Sequence, residues 1–171
     1  GHRDNKNGSK LFEIVMPRFG LGVWQMDNET CKSSILYALN QGYRLIDTAT
    51  AYGNEQAVGE AIRESNIPRE EIFIVTKLRR VHATGYDETI KRCRESLVRL
   101  NLDYIDLYLV HAPPENISAR EEVWRAMEDC MKIGLTRSIG VSNYGISHLQ
   151  AMLNYATILP SVNQIEIHPW L

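Results

Sequence analysis

Residues 72–77 read Ile-Phe-Ile-Val-Thr-Lys, and residues 107–111 read Leu-Tyr-Leu-Val-His. Both runs have the length of a strand and are mostly apolar on both faces, as parallel strands covered by helices are. Between them, Ile90, Cys93 and Leu97 recur at the spacing of an amphipathic helix. The order strand, helix, strand is the repeating unit of a parallel α/β fold.

The same unit repeats along the chain from residue 19 onward. Six strands are predicted, at residues 20–24, 43–49, 72–78, 104–111, 137–142 and 161–168, with five amphipathic helices between them. Gly42 and Gly134 stand where helix C-caps belong, and Ser118 and Glu121 have the spacing of a capping box that opens the fourth helix.

Two architectures are compatible with this alternation. A doubly wound sheet ordinarily has a glycine-rich turn after its first strand, but Gly20 and Gly22 are not followed by a third glycine at the required spacing. The predicted fold class is therefore α/β, a (β/α)8 TIM barrel of which about six strands and five helices are present.

The composition is typical of a globular protein. The chain has 171 residues, of which 44% are hydrophobic and 23% charged, with a formal net charge of -2. This charge offers no basic surface to nucleic acid or to a membrane, and we expect neither as a partner. Residues 1–10 are polar and are expected to be a disordered or tag-derived tail, while residues 11–171 form one barrel domain. The predicted location is the cytoplasm.

Four polar residues fall at the C-terminal ends of predicted strands, where a barrel carries its active site. They are Asp47, Tyr52, Lys77 and His111. Each alone has a structural explanation, as a turn cap, a packed loop residue, a solvent-reaching lysine or a rim histidine. Together, within apolar runs, they favour function, because burying a lone charge costs several kcal/mol.

These four residue types indicate proton transfer. A tyrosine hydroxyl has a pKa of about 10, and a neighbouring ammonium lowers it by stabilising the phenolate. Lys77 is expected to supply that ammonium, Asp47 its counter-charge, and a neutral His111 a hydrogen bond to a substrate oxygen. Since no side chain donates hydride, a redox cofactor is implied.

Six segments show a specific resemblance to the aldo-keto reductase family. They are Phe-Gly-Leu-Gly-Val-Trp at 19–24, Leu-Ile-Asp-Thr-Ala-Thr-Ala-Tyr-Gly-Asn-Glu at 45–55, Ile-Val-Thr-Lys-Leu at 74–78, Leu-Asp-Tyr-Ile-Asp-Leu-Tyr-Leu-Val-His at 102–111, Ile-Gly-Val-Ser-Asn-Tyr at 139–144 and Asn-Gln-Ile-Glu-Ile-His-Pro at 163–169. The sequence is most similar to the aldose reductase and diketogluconate reductase branch.

The resemblance implies reversible hydride transfer between NADP(H) and an aldehyde, ketone or alcohol, with NAD also possible. Tyr52 is then the general acid, Lys77 and Asp47 activate it, and His111 orients the carbonyl. The implied cofactor-binding residues are Gly22, Val23, Trp24, Asp47, Ser142, Asn143 and Gln164. The implied substrate pocket contains Trp24, Tyr52 and His111.

Some of these assignments have structural alternatives. Ser142 and Asn143 are also residues that favour the start of a helix. Gln164 is also compatible with a hydrogen-bonded strand position, and Trp24 with an apolar position at the rim of the barrel. Glu166 and His168 resemble metal ligands but match a strand end in the family, so no metal is predicted.

A typical closed barrel needs about 250 residues, so two βα units are expected to be missing and the chain is interpreted as a fragment or as part of a longer protein. The intact protein is expected to be a monomer or weak dimer.

Alternative functions are a non-catalytic nicotinamide-binding regulatory subunit, an inactive fragment, or an aldolase or isomerase that uses Lys77 as a Schiff-base amine.

Overall fold

A computed structural model of the protein describes residues 14–171, in which strands and helices alternate. The elements are β1 (Leu21–Gly22), α1 (Asn28–Asn40), β2 (Leu45–Asp47), α2 (Glu55–Glu64), β3 (Phe73–Leu78), α3 (Tyr86–Leu100), β4 (Ile105–Val110), α4 (Ile117–Lys132), β5 (Thr136–Ser142), α5 (Ile146–Met152) and β6 (Asn163–Gln164). A short 3-10 turn at Thr50–Tyr52 lies between β2 and α2. The predicted tail at residues 1–10 lies outside the described residues.

The six strands form one parallel sheet in chain order, each pairing with the next along the sequence. A doubly wound sheet reverses its strand order at a switch point, and this sheet does not. The sheet is curled, and Gln164 on β6 reaches Asp47 on β2 with a hydrogen bond of 2.8 Å. The structure is a half-barrel, which confirms the predicted six strands and five helices of a TIM barrel.

Apolar side chains pack on both faces of the sheet. The concave face holds a small core of Leu45, Phe73, Val75, Leu107 and Leu109. A larger core lies between the convex face and the helices, and it includes the three cysteines, Cys31, Cys93 and Cys130, as buried free thiols.

Strands at or next to the edges of the sheet are shorter than predicted. The predicted strand at 43–49 is reduced to Leu45–Asp47, and the one at 161–168 to Asn163–Gln164. Within the described residues β6 pairs only with β5, so no second neighbour extends its ladder past Gln164. Ile165 and Ile167 are consequently 55% and 80% exposed.

Helix ends follow the glycines but not the predicted capping box. Gly42 and Gly134 adopt positive φ angles of 91° and 81° just after α1 and α4, as the sequence predicts. Helix α4 begins earlier than expected, because Asn116 is its N-cap and accepts a hydrogen bond of 3.0 Å from the Ser118 amide. The predicted capping box of Ser118 and Glu121 is therefore wrong.

None of the helices within residues 14–171 has the length and apolar content that a bilayer span requires.

Candidate active site

The four titratable residues singled out in the sequence lie at the C-terminal edge of the curled sheet. Asp47 is the last residue of β2, Lys77 is next to last in β3, and His111 directly follows β4. Tyr52 ends the 3-10 turn that follows β2. Alternation of side chains along β3 puts Lys77 on the concave face with Val75, so its amine enters the half-barrel.

Lys77 is the centre of this cluster. Its side chain is 1% exposed, and Nζ donates to Asp47 Oδ1 at 2.5 Å and to the Thr48 carbonyl at 2.9 Å. The same nitrogen lies 3.5 Å from the Tyr52 hydroxyl. Thus one buried ammonium contacts both the carboxylate and the phenol, which is the juxtaposition expected from the sequence.

Burial dominates the proton affinities in the cluster. Desolvation lowers the pKa of Lys77, while Asp47 opposes that change. Burial, assisted by the charge of Asp47, raises the pKa of Tyr52 to about 12. The lowering expected from Lys77 does not prevail, because burial of the ring and the negative charge of Asp47 together raise the pKa. Burial and the charge of Lys77 lower the pKa of His111, which favours the neutral imidazole.

A cleft of about 430 Å³ opens beside Tyr52 and His111. The two rings meet edge to face, with centroids 5.7 Å apart and an interplanar angle of 77°. The cleft is also lined by Trp24, Ser142, Asn143, Gln164, Ile165 and Glu166. Six predicted site residues from five separate segments therefore line one cleft.

Three amide- or hydroxyl-bearing residues form the polar side of the cleft. Ser142 Oγ donates to the Gln164 carbonyl at 2.9 Å, and Asn143 Nδ2 donates to the His111 carbonyl at 2.9 Å. Asn143 adopts a positive φ of 60°, in the left-handed region that asparagine tolerates. The interpretation of Ser142 and Asn143 as a helix start does not hold, because α5 begins only at Ile146 and its N-cap is Gly145.

The predicted β1 residues do not all face the cleft. Trp24 does, and it is 66% exposed, so it is a rim side chain and not an enclosed one. Val23 is fully buried, and Gly22 is exposed with open space around it. Only the backbone of Gly22 and Val23 is near Asp47, through strand pairing and a hydrogen bond of 3.0 Å from the Val23 amide.

Two polar residues that the sequence analysis did not assign hold the β1 segment in place. Asn54 Nδ2 donates to the Val23 carbonyl at 2.9 Å, and its Oδ1 accepts from Thr48 Oγ1 at 2.8 Å. Asn54 occupies the N-cap position of α2, yet its side chain makes no capping bond. A polar residue before an apolar helical stripe ordinarily predicts a cap, which explains why this role was missed.

Two other features do not extend the site. Glu166 and His168 bond to each other at 2.7 Å, and within residues 14–171 no group of acidic, histidine or cysteine side chains is arranged to hold a metal. A larger groove of about 730 Å³ lies between α3 and the end of α4. Its lining, which includes Ile90, Val98 and Ile133, contains none of the four clustered residues, so the smaller cleft is the candidate site.

The curled parallel sheet is that of a (β/α) barrel, and the cleft lies at the C-terminal ends of its strands. The model of the aldo/keto reductase family matches residues 16–171, and the chain belongs to that family. It is 47% identical over 159 residues to the methylglyoxal reductase DkgA of Escherichia coli, covering 91% of this chain and 55% of the relative. The chain therefore spans about half the length of that curated relative.

Solved structures agree with this assignment. An aldo/keto reductase from Brucella melitensis superimposes with a TM-score of 0.86 at 44% identity, over 90% of this chain and 60% of that one. The Bombyx mori aldo-keto reductase in complex with NADP gives a TM-score of 0.82 at 37% identity, over 89% of this chain and 55% of that one.

Proposed function

We propose that the protein transfers hydride between NADP(H) and a small aldehyde, ketone or alcohol, with Tyr52 as the general acid. The observation that carries the proposal is the position of Lys77, whose Nζ lies 2.5 Å from Asp47 and 3.5 Å from the Tyr52 hydroxyl. A buried ammonium shared between a carboxylate and a phenol is suited to stabilising the phenolate that remains after proton donation.

Each residue of the cluster has a separate task in carbonyl reduction. Tyr52 holds its proton at neutral pH, because its pKa is raised to about 12, and it gives that proton to the carbonyl oxygen as negative charge develops there. Lys77 stabilises the resulting phenolate, and Asp47 fixes the ammonium. His111, kept neutral by its lowered pKa, donates a hydrogen bond that orients the carbonyl oxygen.

The residues beside the acid fit a nicotinamide ring. A carboxamide offers one acceptor and two donor hydrogens, and Ser142, Asn143 and Gln164 present hydroxyl and amide groups along one wall of the cleft. These three side chains would hold the carboxamide, and Trp24 would flank the ring. The cofactor supplies the hydride when bound. The NADP complex of the Bombyx mori relative supports NADP(H) as this cofactor.

One relative supports a small substrate. DkgA is named a methylglyoxal reductase, which supports short aldehydes and dicarbonyl compounds as the substrate class. Cytoplasmic location and a monomeric or weakly dimeric state of the intact protein stay predictions.

Turnover tests the proposal directly. The protein should consume NADPH only when an aldehyde such as methylglyoxal is added, with one alcohol formed per NADPH oxidised. Binding of NADPH without turnover would instead support a nicotinamide-binding regulatory protein or an inactive fragment. A borohydride-trapped adduct on Lys77, formed without cofactor, would support a Schiff-base enzyme. The burial of Lys77 Nζ and its ion pair with Asp47 disfavour that chemistry.

A further inference from the structure

Glu55 is a buried carboxylate that the proposed reaction does not use. It is the first residue of α2, and its side chain is 1% exposed. Oε1 accepts a hydrogen bond of 2.6 Å from Thr76 Oγ1, and Oε2 accepts one of 2.6 Å from Arg99 Nε. Both carboxylate oxygens are therefore bonded, each to a different element of the fold.

The first of these bonds reaches the strand that carries Lys77. Thr76 is fully buried and immediately precedes Lys77 on β3. Neighbouring side chains on a strand point to opposite faces, so Thr76 lies under the helices while Lys77 enters the half-barrel. A bond that fixes Thr76 on the convex face thus also fixes the depth and direction of Lys77 on the concave face.

The second bond leads to the turn that carries Tyr52. Arg99 on α3 also donates to Ser96 Oγ at 3.1 Å, and Ser96 Oγ lies 3.2 Å from Thr50 Oγ1. Thr50 opens the 3-10 turn that ends at Tyr52. The chain of polar contacts from Glu55 therefore ends at Thr50, two residues before Tyr52 in the same turn.

We propose that Glu55 is a positioning residue for carbonyl reduction, which sets the distance between Tyr52 and Lys77 by bonding to β3 through Thr76 and to the 3-10 turn through Arg99 and Ser96. The inference rests on the proposed function for its kinetic consequence, but its geometric consequence is independent of it. Misplacing reacting groups by about 1 Å reduces turnover by up to about a hundredfold, so a loosened network should lower kcat.

Glu55→Met tests the proposal by removing both bonds with a side chain of similar length. We expect kcat to fall about tenfold to a hundredfold, while the KM for the aldehyde and the Kd for NADPH stay near wild type. Glu55→Gln should recover most of kcat, because an amide can accept from Arg99 and donate to Thr76. Thr76→Val removes the contact with β3, and Ser96→Ala removes the contact with the 3-10 turn, so each should lower kcat less than Glu55→Met. If Glu55→Met does not fold, these two variants test the positioning role.

Glu128→Met is the matched control. Glu128 is also buried, at 3% exposure, and its Oε1 accepts from the Thr157 and Ile158 amides, but neither partner contacts Tyr52 or Lys77. This variant should lose stability without losing kcat. If folded Glu55, Thr76 and Ser96 variants lose stability in the same way but keep kcat, Glu55 is merely structural and the proposal is overturned.

A crystal structure of the Glu55→Met variant, or of Thr76→Val, separates this inference from the proposed function. We expect the distance from Lys77 Nζ to the Tyr52 hydroxyl to increase from 3.5 Å by about 1 Å. An unchanged distance overturns the positioning role whether or not the wild-type protein reduces aldehydes. If the distance increases in the variant but the wild-type protein does not reduce aldehydes, Glu55 still positions the two side chains. Only its role in catalysis is then refuted.

Discussion

Gln164 Nε2 donates a hydrogen bond of 2.8 Å to Asp47 Oδ2, joining β6 to β2 although 117 positions separate them in sequence. The other oxygen of Asp47 binds Lys77, so this carboxylate connects the proposed acid cluster to the amide side of the cleft. The curl of the sheet and the geometry of the site are therefore coupled through one side chain.

Gln164→Glu should disrupt this connection by placing a second carboxylate beside Asp47. We expect it to lower the free energy of unfolding more than Gln164→Leu, which only removes the hydrogen bond, worth about 1 kcal/mol. Urea unfolding of both variants measures the difference. Because repulsion between partly exposed charges is screened by salt, the excess loss should shrink at high ionic strength. Equal losses at all salt concentrations would contradict the contact.

His111 should make stability depend on pH. Burial and Lys77 lower its pKa in the folded state, so the unfolded chain binds this proton more readily. Stability should therefore rise with pH through the unfolded histidine pKa of about 6.5 and fall as the pH is lowered below it. Urea unfolding of wild type and His111→Gln between neutral and mildly acidic pH checks this. The variant should have the weaker pH dependence, and identical slopes would contradict the lowered pKa.

The alternation of apolar strands with amphipathic helices was sufficient to predict the barrel class and the order of elements. It overestimated the outer strands, because apolar residues such as Ile165 and Ile167 extend the pattern where no further strand pairs within the described residues. Periodicity reports which residues are apolar, whereas strand length depends on a hydrogen-bonding neighbour.

The site was predictable where polar residues interrupt apolar strands, as at Lys77. It was not predictable where the polar residue stands at a helix start, because Asn54 and Glu55 there look like ordinary cap and first-turn residues. Their contacts with Val23, Thr76 and Arg99 arise only from packing between distant segments. The pKa of Tyr52 was mispredicted for a similar reason, since its desolvation depends on neighbours that the local sequence does not reveal.

The cofactor preference of the intact protein is expected to be NADPH over NADH. The expectation rests on the family membership and on the NADP complex of the Bombyx mori relative. Specificity constants for the two cofactors, measured with one aldehyde at saturating concentration, decide it. Equal values or a higher value for NADH would contradict the preference.

A polypeptide of only these 171 residues is expected to associate in solution. The described sheet has two edge strands, and Ile167, Trp170 and Leu171 are at least 80% exposed beyond β6. A few hundred Å² of exposed apolar area, at about 25 cal/mol per Å², is comparable with a domain's net stability of about 5–15 kcal/mol. Sedimentation should show oligomers or aggregates, and Ile167→Lys should reduce them. A monodisperse monomer that unfolds cooperatively would contradict this expectation.

The most direct test of the account is the turnover of Tyr52→Phe, which removes only the phenolic oxygen near Lys77. We expect kcat for NADPH-dependent aldehyde reduction to fall by at least about a hundredfold, the usual contribution of a general acid. The affinity for NADPH, measured by fluorescence titration, should stay close to that of wild type, because the proposed carboxamide contacts come from Ser142, Asn143 and Gln164. A Tyr52→Phe protein with full activity would show that Tyr52 is not the proton donor.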